Sequence, residues 1–436
     1  MVVNMKTISM VFSAPRMIRL HPQKWMENRT LNERFCGVIS GVVGDIKQQC
    51  QAIIPKMGCE ISILFNAYVE ESLAEFIPRQ QYGFDKIYAD SGGLQVITTG
   101  KEMNRELMET VYKTQSHADI AMAFDEIPVV TISNKTSLSN VSSRLYQPSR
   151  AAECAKHTAN NIKHQCEFLA DDDTQVLFIT QGNNINDVVE WCETGKSIIP
   201  LDLWQRKIGG FALGSPCMGA GARESIENML AYLKIINKYP ELNTGKRVHL
   251  LGYGSVERIM PSIELFTSHF VPDDSILTFD STSLSMSYMM GKWTTNTGQS
   301  IQVTTDEQFE LVAREVLVFI DPHLKKHFGD YDKEELIKHL VSTRLSISNT
   351  TRVDDQSENG VFALAKCFVP CYILYQTISL WKGFKHKMDQ DSLLIRQVNE
   401  CGDIDKLFQW YYNNISKFNS KRVVRESYTP LNEFFT

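Results

Sequence analysis

Short apolar runs recur along the chain, and most end on a glycine or a carboxylate before a polar or helix-patterned stretch. The first covers 61–66. Residues 85–89 lead to Asp90, 119–124 to Asp125, 175–180 to Gln181-Gly182, and 208–213 to Gly214. Further on, 248–251 leads to Gly252-Tyr253-Gly254 and 276–279 to Asp280. Such runs predict strands, and helical spacing fills 69–76, 148–169, 222–239 and 256–266 between them. Strands alternating with helices predict parallel β/α construction. Because polar and glycine residues collect at strand C-termini, the pattern favours a TIM-type (β/α)8 barrel, which builds its site there. An open doubly wound sheet is the rival fold. It wants Gly-x-Gly-x-x-Gly after an early strand, whereas Glu257 stands where a third glycine would follow Gly252 and Gly254. The runs number seven; an eighth strand is expected near 301–304 or beyond 360.

Two long polar stretches, 127–147 and 281–306, read as strand-to-helix insertions. After residue 307 the pattern turns helical, over 308–319, 334–341 and 363–381. The expected organisation is a catalytic barrel over 1–306 and a mainly helical appendage over 307–436 that contributes the last barrel elements or stands apart.

Composition changes this picture little. The 436 residues are 43% hydrophobic and 22% charged, an ordinary folded balance. A formal net charge of −6 argues against a basic groove across the whole surface, while 380–436, with nine Lys or Arg against seven Asp or Glu, is weakly basic. Ten cysteines without regular spacing read as reduced, buried thiols, and with no secretion-like leader the expected location is cytoplasmic. No membrane span of about 20 apolar residues is expected.

The chemistry at the strand ends has two readings. Asp90 and Asp280 suit an acid/base and nucleophile pair for a glycosidic bond, with crowding driving their proton affinities apart. They also suit helix N-caps. Ser91-Gly92-Gly93 is either a turn holding an anion or base edge or a turn that needs glycine. Asp125 and Gln181 either read a purine-like edge or cap loops. The strand 209–214, thinned by glycine, allows a flat ligand to approach, or is thinned by packing. Cys367 and Cys371, with His386 and Cys401 further on, are weak candidates for a structural zinc; core thiols are the competing reading. Tyr288, Lys292 and Trp293 either support a nucleic-acid strand or pack their loop.

Together these stretches resemble the queuine/archaeosine tRNA-guanine transglycosylases, and within them the phage and bacterial branch that inserts 7-deazaguanines into DNA. The matching runs are Leu64-Phe65-Asn66-Ala67-Tyr68, Asp90-Ser91-Gly92-Gly93-Leu94-Gln95, Phe124-Asp125-Glu126 and Gln181-Gly182. They continue with Gly209-Gly210-Phe211-Ala212-Leu213-Gly214, His249-Leu250-Leu251-Gly252-Tyr253-Gly254 and Phe279-Asp280-Ser281. The resemblance implies a TIM-type barrel with Asp280 as nucleophile and Asp90 as general acid/base. It implies that Asp125, Gln181, Gly210 and Phe211 hold the base, with Ser91 and Gly92 beside the reacting centre and Leu251 and Gly252 bordering the pocket. It implies no cofactor for the chemistry itself and a flipped-out nucleotide as substrate.

Departures from the family pattern set the expected polymer. Leu94 stands where many tRNA enzymes stack an aromatic, and Ser215 stands where bacterial members carry Glu. The Cys-x-Cys-x-x-Cys run and the basic segment after the nucleophile are missing. These point to DNA and a free preQ0-like base, with tRNA as the alternative polymer. A hydrolytic glycosylase and a non-catalytic nucleic-acid-binding subunit are the outside readings. A homodimer or an accessory protein is compatible with the sequence.

Overall fold

The computed structural model describes residues 5–17, 29–77, 82–92, 104–132, 143–214, 222–280, 282–349, 360–390 and 392–418. Eight parallel strands close into one barrel: β1 Thr7–Ser13, β2 Gly58–Asn66, β3 Ile87–Asp90, β4 Ile120–Met122, β5 Gln175–Thr180, β6 Ile208–Leu213, β7 Arg247–Leu250 and β8 Ile276–Asp280. Each pairs with its neighbours in sequence, and β1 closes the ring by pairing with both β2 and β8. The fold is a (β/α)8 barrel with a C-terminal helical region.

The eighth strand is therefore the N-terminal one, not a segment near 301–304 or beyond 360. Residues Ser300–Gln302 pair antiparallel with Lys292–Thr294 in a hairpin outside the barrel. Strand β1, TISMVFS, hides in the sequence because its two faces differ. Ile8, Met10 and Phe12 pack outward against the helices, while Ser9 faces inward and meets Ser62 at 3.2 Å.

The main helices between strands are α1 Arg29–Ile53, α2 Glu71–Phe76, α3 Arg105–Gln115, α4 Pro148–Phe168, α5 Ile185–Ile198, α6 Ala222–Lys238 and α7 Val256–Phe266, with the short helices Ala14–Met17 and Leu201–Lys207 beside them. α1 buries Phe35, Ile39, Val42, Val43 and Ile46, an apolar stripe at helical spacing. α5 starts at Asn184, whose side chain accepts from the N–H groups of Asn186 and Asp187.

The eighth helix position is filled by α8, Val361–Met388, which packs against both α1 and α7. Helices Asp306–Phe328 and Lys333–Asn349 stand between β8 and α8 in sequence and pack beside α1 and α8. α8 is the one helix among the described residues long and apolar enough to cross a membrane. The expectation that no stretch approaches such a length is corrected here. The helix is apolar on every side because it lies in the core, where barrel helices and appendage enclose it.

The barrel interior is aliphatic in its middle, with Val11, Ile120, Met122, Leu177, Ile179 and Ala212 around Tyr88. Nearer the strand N-termini it is polar. Arg247 lies 3.5 Å from Glu60 and donates to the Tyr88 hydroxyl at 2.6 Å. Beside this pair, β6 carries an extra residue against β5, and Gly210 follows it at φ +146°. A Cβ on Gly210 would lie 2.1 Å from the Arg247 carbonyl oxygen.

Gly210→Ala is expected to cost about 3 kcal/mol, through strain and backbone overlap together. Gly44, exposed on α1 with open space around it, is the control. Gly44→Ala is expected to add about 0.5–1 kcal/mol. Denaturant unfolding of both variants checks the contrast.

Candidate active site

Alternation along the strands decides which side chains reach the barrel mouth. Tyr88 faces inward, so Asp90 does too; Thr278 sets Asp280, Leu177 and Ile179 set Gln181, and His249 sets Leu251. Asp125 follows three residues after β4, and Asn66 ends β2. Six strands thus deliver polar or bordering groups to one end of the barrel, the end where (β/α)8 enzymes carry their sites.

Asp280 is held by its Oδ1, which accepts from the Gly252 N–H at 2.9 Å. Gly252 sits at φ +82°, a conformation that costs glycine little and turns its N–H toward the carboxylate. His249 Nε2 lies 3.4 Å from the same oxygen. Asp90 Oδ2 accepts from Asn66 Nδ2 at 3.3 Å, and Asn66 Oδ1 in turn accepts from the Tyr68 N–H. Asp125 Oδ2 accepts from Gln181 Nε2 at 2.6 Å. The other amide atom, Gln181 Oε1, is buried with no hydrogen-bond partner among the described residues.

Three carboxylates in one poorly solvated mouth do not ionise independently. Burial pushes Asp90 up to about 7; the charges of Asp125 and then Asp280 add to this, while the N–H groups of Gly92 and Ser91 oppose it. Burial likewise pushes Asp125 up to about 6, against the hydrogen bond from Gln181. Asp90 therefore exchanges its proton near neutral pH, beside an anchored carboxylate at Asp280. That is the equipment for protonating a leaving group while a second carboxylate meets the developing positive centre.

Of the residues singled out from sequence, Asp90, Ser91, Gly92, Asp125, Gln181, Leu251, Gly252 and Asp280 come together at the mouth. The Ser91 hydroxyl donates to the Ala123 carbonyl at 3.0 Å. Gly210 and Phe211 are not in this group. Gly210 pairs with Arg247 near the far end of the barrel, and Phe211 faces outward among Phe178, Trp204 and Tyr232. Tyr288 and Trp293 are buried against Tyr372 of α8, so they pack their loop and offer no platform to a strand. Cys367 and Cys371 are core thiols of α8, and His386 meets Gln390 on its last turn. Among the described residues no three His, Cys, Asp or Glu side chains form a metal-holding group. Leu94, Ser215 and Ser281 lie outside the described residues.

Asn66, His249 and Tyr88 were missed as site residues. The signal was present for two of them: Asn66 and His249 stand inside matched motifs, at even spacing from other inward-facing positions.

Fold and strand-end geometry are those of a (β/α)8 barrel, a common enzymatic scaffold, with polar groups gathered at the end where such enzymes carry their sites. No protein-family model matches the chain, and no curated protein matches it.

Asp90 supplies a stability test whose sign is fixed. Its folded value, about 7, exceeds the unfolded one, about 3.9, so the folded state holds the extra proton in between. Stability from this group is complete below about pH 4 and is lost as pH rises through 7. Asp90→Asn is therefore expected to melt higher than the parent at about pH 8 and to converge with it near pH 4. Thermal unfolding across that range measures it; a difference independent of pH contradicts the assignment.

Proposed function

We propose that the protein is a base-exchanging transglycosylase that replaces a guanine in DNA with a free 7-deazaguanine base of the preQ0 type. The observation that carries this reading is the pairing of a proton-holding Asp90 with an anchored Asp280 at one barrel mouth. Asp280 attacks the sugar C1′. The C1′–N bond to guanine breaks, its electrons go to the base, and the Asp90 proton neutralises that nitrogen. The product is an aspartyl-sugar ester. The incoming base gives its N–H proton to the Asp90 carboxylate as its nitrogen displaces Asp280, which restores the starting protonation.

Asp125 and Gln181 suit recognition of the base. The unpaired Oε1 of Gln181 is a buried acceptor, and a purine-like edge supplies N–H donors for it. Gly92 and Leu251 line the approach. A cavity of about 310 Å3 lies beside the Asp280 loop, between the start of α7 and the hairpin, and Arg258 and Lys292 line it together with one carboxylate, Glu257. Cations there suit the phosphates that flank a flipped-out sugar.

The preference for DNA over tRNA rests on Leu94, Ser215 and the missing cysteine run, and one experiment tests polymer and chemistry together. The protein is incubated with labelled 7-deazaguanine base and either duplex DNA or tRNA. Label in DNA is expected; label only in tRNA moves the reading to the tRNA enzyme, and abasic product without base moves it to a hydrolase. Denaturing gels should show DNA held on the parent protein and none on Asp280→Ala. That variant is expected to lose at least about 1,000-fold in turnover. Turnover unchanged by Asp280→Ala would remove Asp280 as the nucleophile, and nucleic-acid binding without any turnover, equal in parent and variant, would leave a binding role only.

A further inference from the structure

Beneath Asp280 lies an imidazole for which the exchange chemistry has no task. His249 projects from β7 into the barrel and is fully buried. Its Nδ1 is 2.7 Å from Thr278 Oγ1, and its ring stacks on Tyr88 with centroids 5.7 Å apart. Tyr88 is itself fixed by Arg247, and Arg247 by Glu60. The ring is therefore held at one edge and one face.

Its other nitrogen is different. His249 Nε2 points at Asp280 Oδ1 from 3.4 Å without hydrogen-bond alignment, and no other partner meets it among the described residues. A buried polar atom left this way is destabilising unless a partner meets it. Thr278 indicates where the ring proton sits. The Thr278 hydroxyl reaches the Val248 carbonyl only at 3.4 Å but reaches Nδ1 at 2.7 Å. Donation to Nδ1 is the better bond, and it leaves the single proton of a neutral ring on Nε2, facing the carboxylate.

We propose that His249 is a positioning residue for Asp280, which with the Gly252 N–H fixes Oδ1 and presents Oδ2 to the sugar carbon. The inference rests on the base-exchange reading. In the ester, Oδ2 carries the new bond to C1′ and Oδ1 becomes the carbonyl oxygen, still facing both donors. Among the described residues no hydrogen bond is made to Oδ2, as an attacking oxygen requires. Triad histidines are held in one tautomer by a partner in the same manner.

The test compares two replacements. The Gln amide nitrogen reaches the place of Nε2, and the Asn amide reaches only that of Nδ1. His249→Asn is expected to lower kcat about 100-fold, the effect of a misplaced reacting group, with KM little changed. His249→Gln is expected to recover most of that loss. Equal losses for the two variants, or a parallel rise in KM, mean a packing role and overturn the proposal. Rapid-quench measurement of the covalent adduct separates the two levels of the argument. No adduct from the parent protein with DNA or tRNA sinks the base-exchange reading and this inference with it. Adduct forming as fast in His249→Asn as in the parent sinks this inference alone. If His249→Asn fails to fold by circular dichroism, Thr278→Val decides. It keeps the histidine and removes its proton donor, so an unchanged kcat overturns the proposal.

Discussion

Closure of the barrel by its first strand is the constraint on which the rest depends. β1 pairs along its whole length with β2 and, through Thr7 to Val11, with Ile276 to Asp280 of β8. Val11 stands opposite Asp280, so the last strand's carboxylate is placed by a strand more than 260 residues earlier in the chain. Parallel pairing of such distant segments forms only when the intervening β/α units are in place. The reward is a ring without edges, in which each strand end is fixed by two neighbours. An active-site group on such an end inherits that rigidity.

The mouth this closure creates sets up an electrostatic conflict. Asp90, Asp125 and Asp280 face one small volume, and the lining below them, His249 and Thr278 apart, is largely apolar. Full ionisation is costly there, and among the described residues no lysine or arginine answers it; the partners are Asn66 for Asp90, Gln181 for Asp125, and the Gly252 N–H for Asp280, with His249 3.4 Å away. Neutral donors moderate each carboxylate without removing its chemistry, whereas a lysine or arginine at the same place would hold Asp90 fully ionised. The folded state thus tolerates a proton where solution chemistry would not keep one, and its stability is lower at high pH as a consequence.

Much of this was legible in the sequence, and the exceptions have causes. Seven strands were visible because each joins an apolar run to a polar or glycine end, and both catalytic candidates fall at such ends. β1 escaped because Thr7, Ser9 and Ser13 break its apolar run; an inward face that meets polar Ser62 has no need of aliphatic residues. α8 was recognised as helical, and the appendage was allowed to contribute the last barrel elements, but which helix does so was not legible because over 70 residues separate α8 from β8. His249 was read as part of a motif without a task. Its importance lies in its 3.4 Å approach to Asp280 across two strands, which spacing along one strand does not express. Phe211 misled for the converse reason: it stands in a glycine-rich motif, yet strand alternation turns it outward.

Gly210 shows how a motif residue can serve a site it does not touch. The register between β5 and β6 runs from Val176 opposite Ile208 to Leu177 opposite Gly210, so Gly209 is the extra residue of a bulge. Beyond it, Ile179 faces Ala212 and Thr180 faces Leu213, which carries the inward series up to Gln181 beside Gly214. Without the extra residue every later side chain of β6 would exchange faces. Gly214 then would not lie beneath Gln181, where a Cβ would come within 2.4 Å of the amide. The bulge demands a residue at φ +146° with no side chain against Arg247, and glycine meets both conditions. A requirement at one end of the strand is thereby met so that the amide at the other end can reach Asp125. The link from Gly210 to the Gln181–Asp125 pair is one of register, carried by the backbone across about three residues of strand, roughly 10 Å.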